Sequence, residues 1–145
     1  MLRGLDPILT ADLLHALRAM GHGDIITIVD ANFPAAACAQ RLITAQGSDV
    51  TTMYCAILGI LPIDDFIPKP LLTMQIVGDP ATTPPAVAEL HAATTAAGLA
   101  PTTLGTVERH EFYRRARDSF AIIATGDRRL YANIIITKGV LHPDY

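Results

Sequence analysis

A histidine framed by two glycines, Gly21-His22-Gly23, stands where a helix-like pattern gives way to a run of β-branched residues. Imidazole is the side chain whose ordinary pKa lies nearest neutrality, so an accessible one in a turn is suited to passing protons. The flanking glycines let the backbone turn sharply and leave the ring little steric cover. A polar turn residue bonded to a neighbouring main-chain group fits the same pattern. Asp30 closes the apolar run that follows, within Asp30-Ala31-Asn32-Phe33-Pro34. It can form an Asx turn or cap a helix, or it can present a carboxylate at the carboxyl end of a strand, where open α/β sheets place ligands.

Two further groups carry a similar pair of readings. Arg109 and Tyr113 are four residues apart and share one face of any helix that holds both. The structural alternatives are pairing of Arg109 with Glu108 or Glu111 and burial of the Tyr113 ring against a sheet. Tyr131-Ala132-Asn133 opens the last apolar run, and strand alternation predicts the Tyr131 and Asn133 side chains on one face. They can cap a sheet edge there, or offer donors, acceptors and a flat apolar surface to a polyhydroxyl ligand. A fully extended chain would hold residues 22 and 30 roughly 26 Å apart, at about 3.3 Å per residue. Either the Gly21–Asp24 loop folds back along its strand, or the two residues meet only through a neighbouring subunit.

The elements that must position these groups are legible as patterns. Thr10 is placed to cap a helix in which Leu13, Leu14, Leu17 and Met20 form one apolar stripe, with Gly21 ending it. Ile25–Val29 is apolar on both faces, as in a covered parallel sheet. The pattern predicts a short strand over 41–45 and a helix from Val50 to about Leu61, capped by Ser48 or Asp49. Further on it predicts a strand over 71–77, a helix from Pro84-Pro85 through Ala97, and a short strand over 104–107. A helix over 111–119 and strands over 120–124 and 131–137 complete the chain. Strands alternating with helices predict an α/β fold, a single domain over residues 1–145 built as a layered sheet with helices on its faces.

Composition narrows the function classes. Half of the 145 residues are hydrophobic and 17% are charged, with a net charge of −3. No apolar run reaches the roughly 18 residues of a membrane span, and the first residues lack a signal-peptide core, so a cytoplasmic protein is expected. The apolar excess for a chain of this size predicts a homo-oligomer. Cys38 and Cys55 form no CxxC pair and the five histidines form no HExxH, so no metal is expected. Scattered arginines on an acidic chain argue against a nucleic-acid partner, and the Arg114, Arg115, Arg117 cluster reads as a solvated helix face. Walker and dinucleotide glycine patterns are absent, and no cofactor is expected.

Taken in order, Gly21-His22-Gly23-Asp24, the strand into Asp30-Ala31-Asn32-Phe33-Pro34, Arg109 through Ala116, Thr125-Gly126, and Tyr131-Ala132-Asn133 with Lys138-Gly139-Val140 resemble one family. It is the fucose mutarotase / ribose pyranase (RbsD/FucU) family, and the resemblance runs from Leu5 to Val140. It implies an RbsD-like α/β fold, homo-oligomers with sites where subunits meet, and a free monosaccharide as substrate. It also implies His22 as proton donor, with Asp30, Arg109 and the Tyr131, Ala132, Asn133 segment binding sugar. Tyr113 matches a tyrosine that some fucose mutarotases place in the site. Arg109 resembles the fucose branch, since ribose pyranases typically carry histidine there. The implied activity is interconversion of the α and β anomers of L-fucose by acid–base ring opening. The alternatives are a D-ribose pyranase using the same ring-opening chemistry, and a non-enzymatic sugar-binding accessory of uptake that needs no titrating histidine.

Overall fold

Runs of β-branched and apolar residues with no turn former between them become the strands of one six-stranded sheet. The computed structural model describes residues 1–144. The strands are β1 (Ile25–Val29), β2 (Leu42–Ala45), β3 (Leu71–Met74), β4 (Leu104–Val107), β5 (Ala121–Thr125) and β6 (Ile134–Thr137). Their order across the sheet is β2-β5-β1-β6-β3-β4. The helices are α1 (Ala11–Ala19), α2 (Ala35–Cys38), α3 (Val50–Leu58), α4 (Pro85–Ala96) and α5 (Arg109–Arg117).

Strand alternation sorts the side chains into two cores. Ile26, Ile28, Ile123, Ile134 and Ile136 pack with residues of α1, α3 and α4, including Leu13, Met53 and Leu90. Val29, Ile122 and Ile135 face the other way, onto Cys38 of α2, onto Phe33, and onto Phe112 and Ala116 of α5. The expected layered sheet with helices on its faces is thus what forms. Caps behave as their chemistry requires: Thr10 accepts from Leu13 N–H and Asp49, not Ser48, accepts from Thr52 N–H.

Four expectations need correction. The sheet is mixed and not parallel, because β6 runs antiparallel to both β1 and β3. Strand β3 stops at Met74, three residues short of Val77, where the chain turns through a bridge between Ile76 and Asp79. Helix α5 begins at Arg109, two residues earlier than periodicity indicated, because the Glu108 carboxylate accepts from His110 and Glu111 N–H and starts it there. Strand β6 begins only at Ile134, so Tyr131 and Asn133 do not lie on a strand face.

The strand directions create two functional edges. The carboxyl ends of β1, β3 and β4 and the beginning of β6 share one edge of the sheet. The beginning of β1 and the end of β6 share the opposite edge, where Gly23 N–H donates to Lys138 C=O and Lys138 N–H to Asp24 C=O. Lys138 Nζ also donates to the C=O of Leu17 and Met20, satisfying carbonyls at the end of α1. Beside it Gly139 lies against the Ile63-Asp64 backbone, where an added Cβ would stand 2.6 Å from Ile63 C=O and 2.8 Å from Asp64 Cα. Those neighbours are main chain and cannot swing aside. Gly139→Ala is therefore expected to cost about 1–3 kcal/mol, read as a lowered denaturation midpoint.

Candidate active site

Asp30 follows the last residue of β1 and is 6% exposed. Its Oδ1 accepts from the N–H of Asn32 (2.8 Å) and Phe33 (3.0 Å), the Asx turn anticipated for an aspartate after a strand. Its other oxygen accepts from Asn133 Nδ2 at 2.9 Å, while Asp30 N–H donates to Asn133 Oδ1 at 2.9 Å. Asn133 precedes β6, so the antiparallel placement of that strand sets this reciprocal pair. Burial pushes the Asp30 carboxyl above its ordinary value, against the hydrogen bonds from Asn32, Asn133 and Phe33, and the nearby Asp127 adds to the rise. Turn former and cleft residue are therefore one role here, not alternatives.

Around Asp30 and Asn133 opens a cleft of about 370 Å³, which Arg109, Tyr113 and Tyr131 also line. Tyr131 adopts φ +61°, a left-handed conformation in which a bulky residue is strained by about 1–3 kcal/mol. Its hydroxyl accepts from Val77 N–H at 3.2 Å, joining the 76–79 turn to the cleft wall. Arg109 lies at the start of α5 with its guanidinium 5.4 Å from the Tyr113 ring centroid. Tyr113 in turn stacks on Phe33, centroids 4.8 Å apart and 19° between planes. Neither glutamate claims Arg109. Glu108 caps the helix backbone, and Glu111 pairs with Arg114 and Arg115 and is held down to about 2 by them. The arrangement gives a carboxylate, an amide, a phenol and a guanidinium around a partly aromatic wall, the inventory that binds several hydroxyl groups at once.

Ala132 is fully buried in the main core, which leaves its main-chain groups as its only means of meeting a ligand. Phe33, Asn32, Met74, Val77 and Leu130 also line the cleft and were not singled out from the sequence. Asn32 and Phe33 had a signal, lying two and three residues past Asp30. The others are brought in by tertiary folding alone.

His22 is not in this cleft. Its loop is hydrogen-bonded to Lys138 and does not fold back along β1, so the whole strand, roughly 16 Å at about 3.3 Å per residue, separates it from Asp30. Its imidazole instead meets Asp64, Nε2 to Oδ1 at 3.1 Å, and packs against Phe66 with centroids 5.2 Å apart. Asp64 escaped the sequence reading because it lies 42 residues from His22 in a proline-flanked loop. Among the described residues no group of three or more His, Cys, Asp or Glu is placed to hold a metal ion. No helix among them is long and apolar enough to cross a membrane.

Comparison with known proteins places nearly the whole chain in one family. A family model described as the RbsD / FucU transport protein family matches residues 3–141. The human protein named fucose mutarotase is 38% identical over 146 residues, covering 97% of this chain and 94% of its own. The L-fucose mutarotase of Haemophilus influenzae strain 86-028NP is 38% identical, with 97% of each chain covered. The crystal structure of a fucose mutarotase in complex with L-fucose from Streptococcus pneumoniae superposes with a TM-score of 0.92 at 35% identity. That match covers 97% of this chain and 100% of the other.

Asp30→Asn tests the reciprocal pair. With its oxygen kept on the turn N–H groups, the new amide aims a donor at Asn133 Nδ2, and rotating Asn133 aims a donor at residue 30 N–H instead. The expected cost is about 1–3 kcal/mol by urea denaturation. Carbon-13 titration should place the wild-type Asp30 carboxyl above 3.8 and Glu111 below 4.5, at about 2. The two signs are opposite. Asp30 favours the folded state fully below pH 3.8, and that contribution is lost as pH rises through its folded value. Glu111 favours it above pH 4.5, and that contribution is lost as pH falls towards 2.

Proposed function

This chain belongs to the RbsD/FucU family, and we propose that it is a sugar mutarotase acting on L-fucose, with each site completed by a neighbouring copy. The observation that carries the reading is the convergence of Asp30, Asn133, Arg109 and Tyr131 on one cleft, with the half-exposed imidazole of His22 at the opposite edge. Mutarotation opens a cyclic hemiacetal, rotates the aldehyde and closes the ring on its other face. The ring oxygen gains a proton as the anomeric hydroxyl loses one, and no electrons or phosphate change hands. Fixed hydrogen-bonding groups hold the sugar hydroxyls, and a titrating imidazole moves the proton. Arg109 stays charged at any working pH, which suits it to gripping hydroxyls and not to proton transfer.

A monosaccharide cannot reach from Asp30 to the His22 of the same chain. A second copy placed head to tail sets its His22 edge over the cleft, and contacts of that heterologous kind form a ring when the rotation between copies closes. Apolar exposure at both edges supports this. Phe66 (66%) stands beside His22, while Val77 (62%) and Leu130 (69%) rim the cleft. Arg109 and not His110 lines the cleft, which supports the fucose reading over ribose. A purely sugar-binding role gives the His22–Asp64 pair nothing to do.

His22→Ala should lower anomer exchange of L-fucose by about 100-fold or more in saturation-transfer NMR, while sugar binding is retained. Near-wild-type exchange in the folded variant favours the sugar-binding role. Arg109→Ala leaves His22 intact, and an equal mixture of the two variants, unfolded and refolded together, should exceed the mean of the separate activities. A mixture equal to that mean means that each site lies within one chain. Arg109→His should weaken handling of fucose while ribose ring-form exchange is kept or improved. Equal loss for both sugars removes Arg109 as the selecting residue.

A further inference from the structure

Arg129 does not line the cleft, yet five hydrogen bonds fix it in the loop that leads to Tyr131. Its main-chain N–H and its Nε both donate to Asp127 Oδ1 at 3.0 Å, and Nη2 donates to Asp127 Oδ2 at 2.8 Å. Nη1 donates to Glu89 Oε2 of α4 at 2.6 Å, and Nη2 also donates to Thr51 Oγ1 of α3 at 3.3 Å. The paired Nε and Nη2 bonds are the planar fork by which a guanidinium meets a carboxylate, charge-assisted and fixed in direction. Asp127 is itself anchored, with a side chain only 3% exposed. Its Oδ2 accepts from Val50 N–H at 3.1 Å, its N–H donates to Thr125 Oγ1 at 3.2 Å, and its C=O accepts from Ala31 N–H at 2.8 Å. A carboxylate so buried needs these donors. Arg129 is thus tied to two helices and to the loop after Asp30.

Its chain neighbours are not tied in this way. Arg128 and Leu130 are exposed, so the side chain of Arg129 is what fixes the 128–130 segment to the body of the protein. On the far side of Tyr131, Asn133 is held by its reciprocal pair with Asp30, and its N–H donates to Tyr131 C=O at 2.8 Å. Tyr131 lies midway between two anchored residues and meets both demands at φ +61°. A bulky residue keeps that conformation only while its surroundings impose it. We propose that Arg129 is a positioning residue, which through its fork to Asp127 keeps Tyr131 in the left-handed turn and so keeps the phenol where the cleft requires it. This rests on the reading of the cleft as a sugar site. With the fork broken, the turn becomes one state among several, and apparent affinity falls by the fraction of molecules that still hold it. Proton transfer by His22 is untouched, so turnover at saturating sugar is unchanged.

Arg129→Ala leaves buried Asp127 without its cation and threatens folding, so Arg129→Lys carries the test. Lysine keeps a positive charge beside Asp127 but has no planar fork. The full-length protein is studied by isothermal titration and ligand-observed NMR with L-fucose, by saturation-transfer NMR for exchange, and by crystallography. Arg129→Lys should fold and raise Kd and KM for L-fucose about tenfold, the factor expected when a tenth of the molecules hold the turn, with kcat kept within roughly twofold. Its crystal structure should show Tyr131 at negative φ, with the hydroxyl away from Val77 N–H. In a Tyr131→Gly background the same change should alter Kd by less than about twofold. Glycine adopts that conformation unforced and carries no phenol to aim. An equal fold-change in both backgrounds, wild-type affinity in Arg129→Lys, or Tyr131 still at φ +61° in it overturns the proposal. If the wild type does not bind L-fucose while Tyr131 is released in Arg129→Lys, the sugar reading falls and the role of Arg129 in holding the turn stands.

Discussion

Antiparallel insertion of β6 between β1 and β3 is the constraint on which the other features depend. It donates and accepts on both of its edges, pairing Ile134–Thr137 with β1 on one side and with β3 on the other. Its direction places its beginning beside the carboxyl end of β1 and its end beside the amino end. Asn133 therefore meets Asp30, and Lys138 meets the Gly23 loop. A parallel sixth strand would exchange those neighbours and dismantle both edges. The register is equally firm, since a slip of one residue would send Ile134 and Ile136 into the smaller core and Ile135 into the larger one.

The cleft edge holds several unfavourable local states that its surroundings offset. Asp30 is buried enough for its charged form to be disfavoured, and Tyr131 sits in left-handed backbone. The Asp30–Asn133 pair and the Tyr131–Val77 bond hold both in place. Asp127 lies close by. Burial pushes its carboxyl up, but hydrogen bonds from Arg129, and from Val50 N–H, bring it below its ordinary value. It remains an anion there, and its main chain accepts from Ala31 N–H, bracing the loop after Asp30. Strain and desolvation fixed in the folded protein need no reorganisation when a ligand arrives, which is the physical advantage of a rigid polar cleft.

The opposite edge is built for a different task. Its carboxylate, Asp64, meets the imidazole of His22, and that side chain is half exposed. The groups proposed to bind sugar and the imidazole proposed to carry the proton thus occupy separate ends of one sheet. In the proposed head-to-tail assembly two copies combine them without either end needing to move. This makes assembly, and not loop closure, the step that completes the proposed site.

Much of the secondary structure is determined locally and was legible in the sequence. Thr10 and Asp49 cap because their oxygens lie within reach of nearby N–H groups, and Ile25–Val29 is a strand because its β-branched run has no helical stripe. Asp30, Arg109, Tyr113, Tyr131 and Asn133 stand out by residue type, but the cleft they share is a product of tertiary folding. Tertiary structure decided what depends on partners distant in the chain. The direction of β6 follows from pairing with β1, over 100 residues away, and with β3, over 60 residues away, and sequence periodicity is the same for parallel and antiparallel neighbours. The left-handed turn at Tyr131 overrides an extended preference because the Asn133 pair to Asp30 fixes the chain beyond it. Asp64 has no local pattern at all. Its meaning comes from meeting His22 across 42 residues, a contact made only when Ile63 pairs with Lys138 and Gly139 leaves room for that backbone.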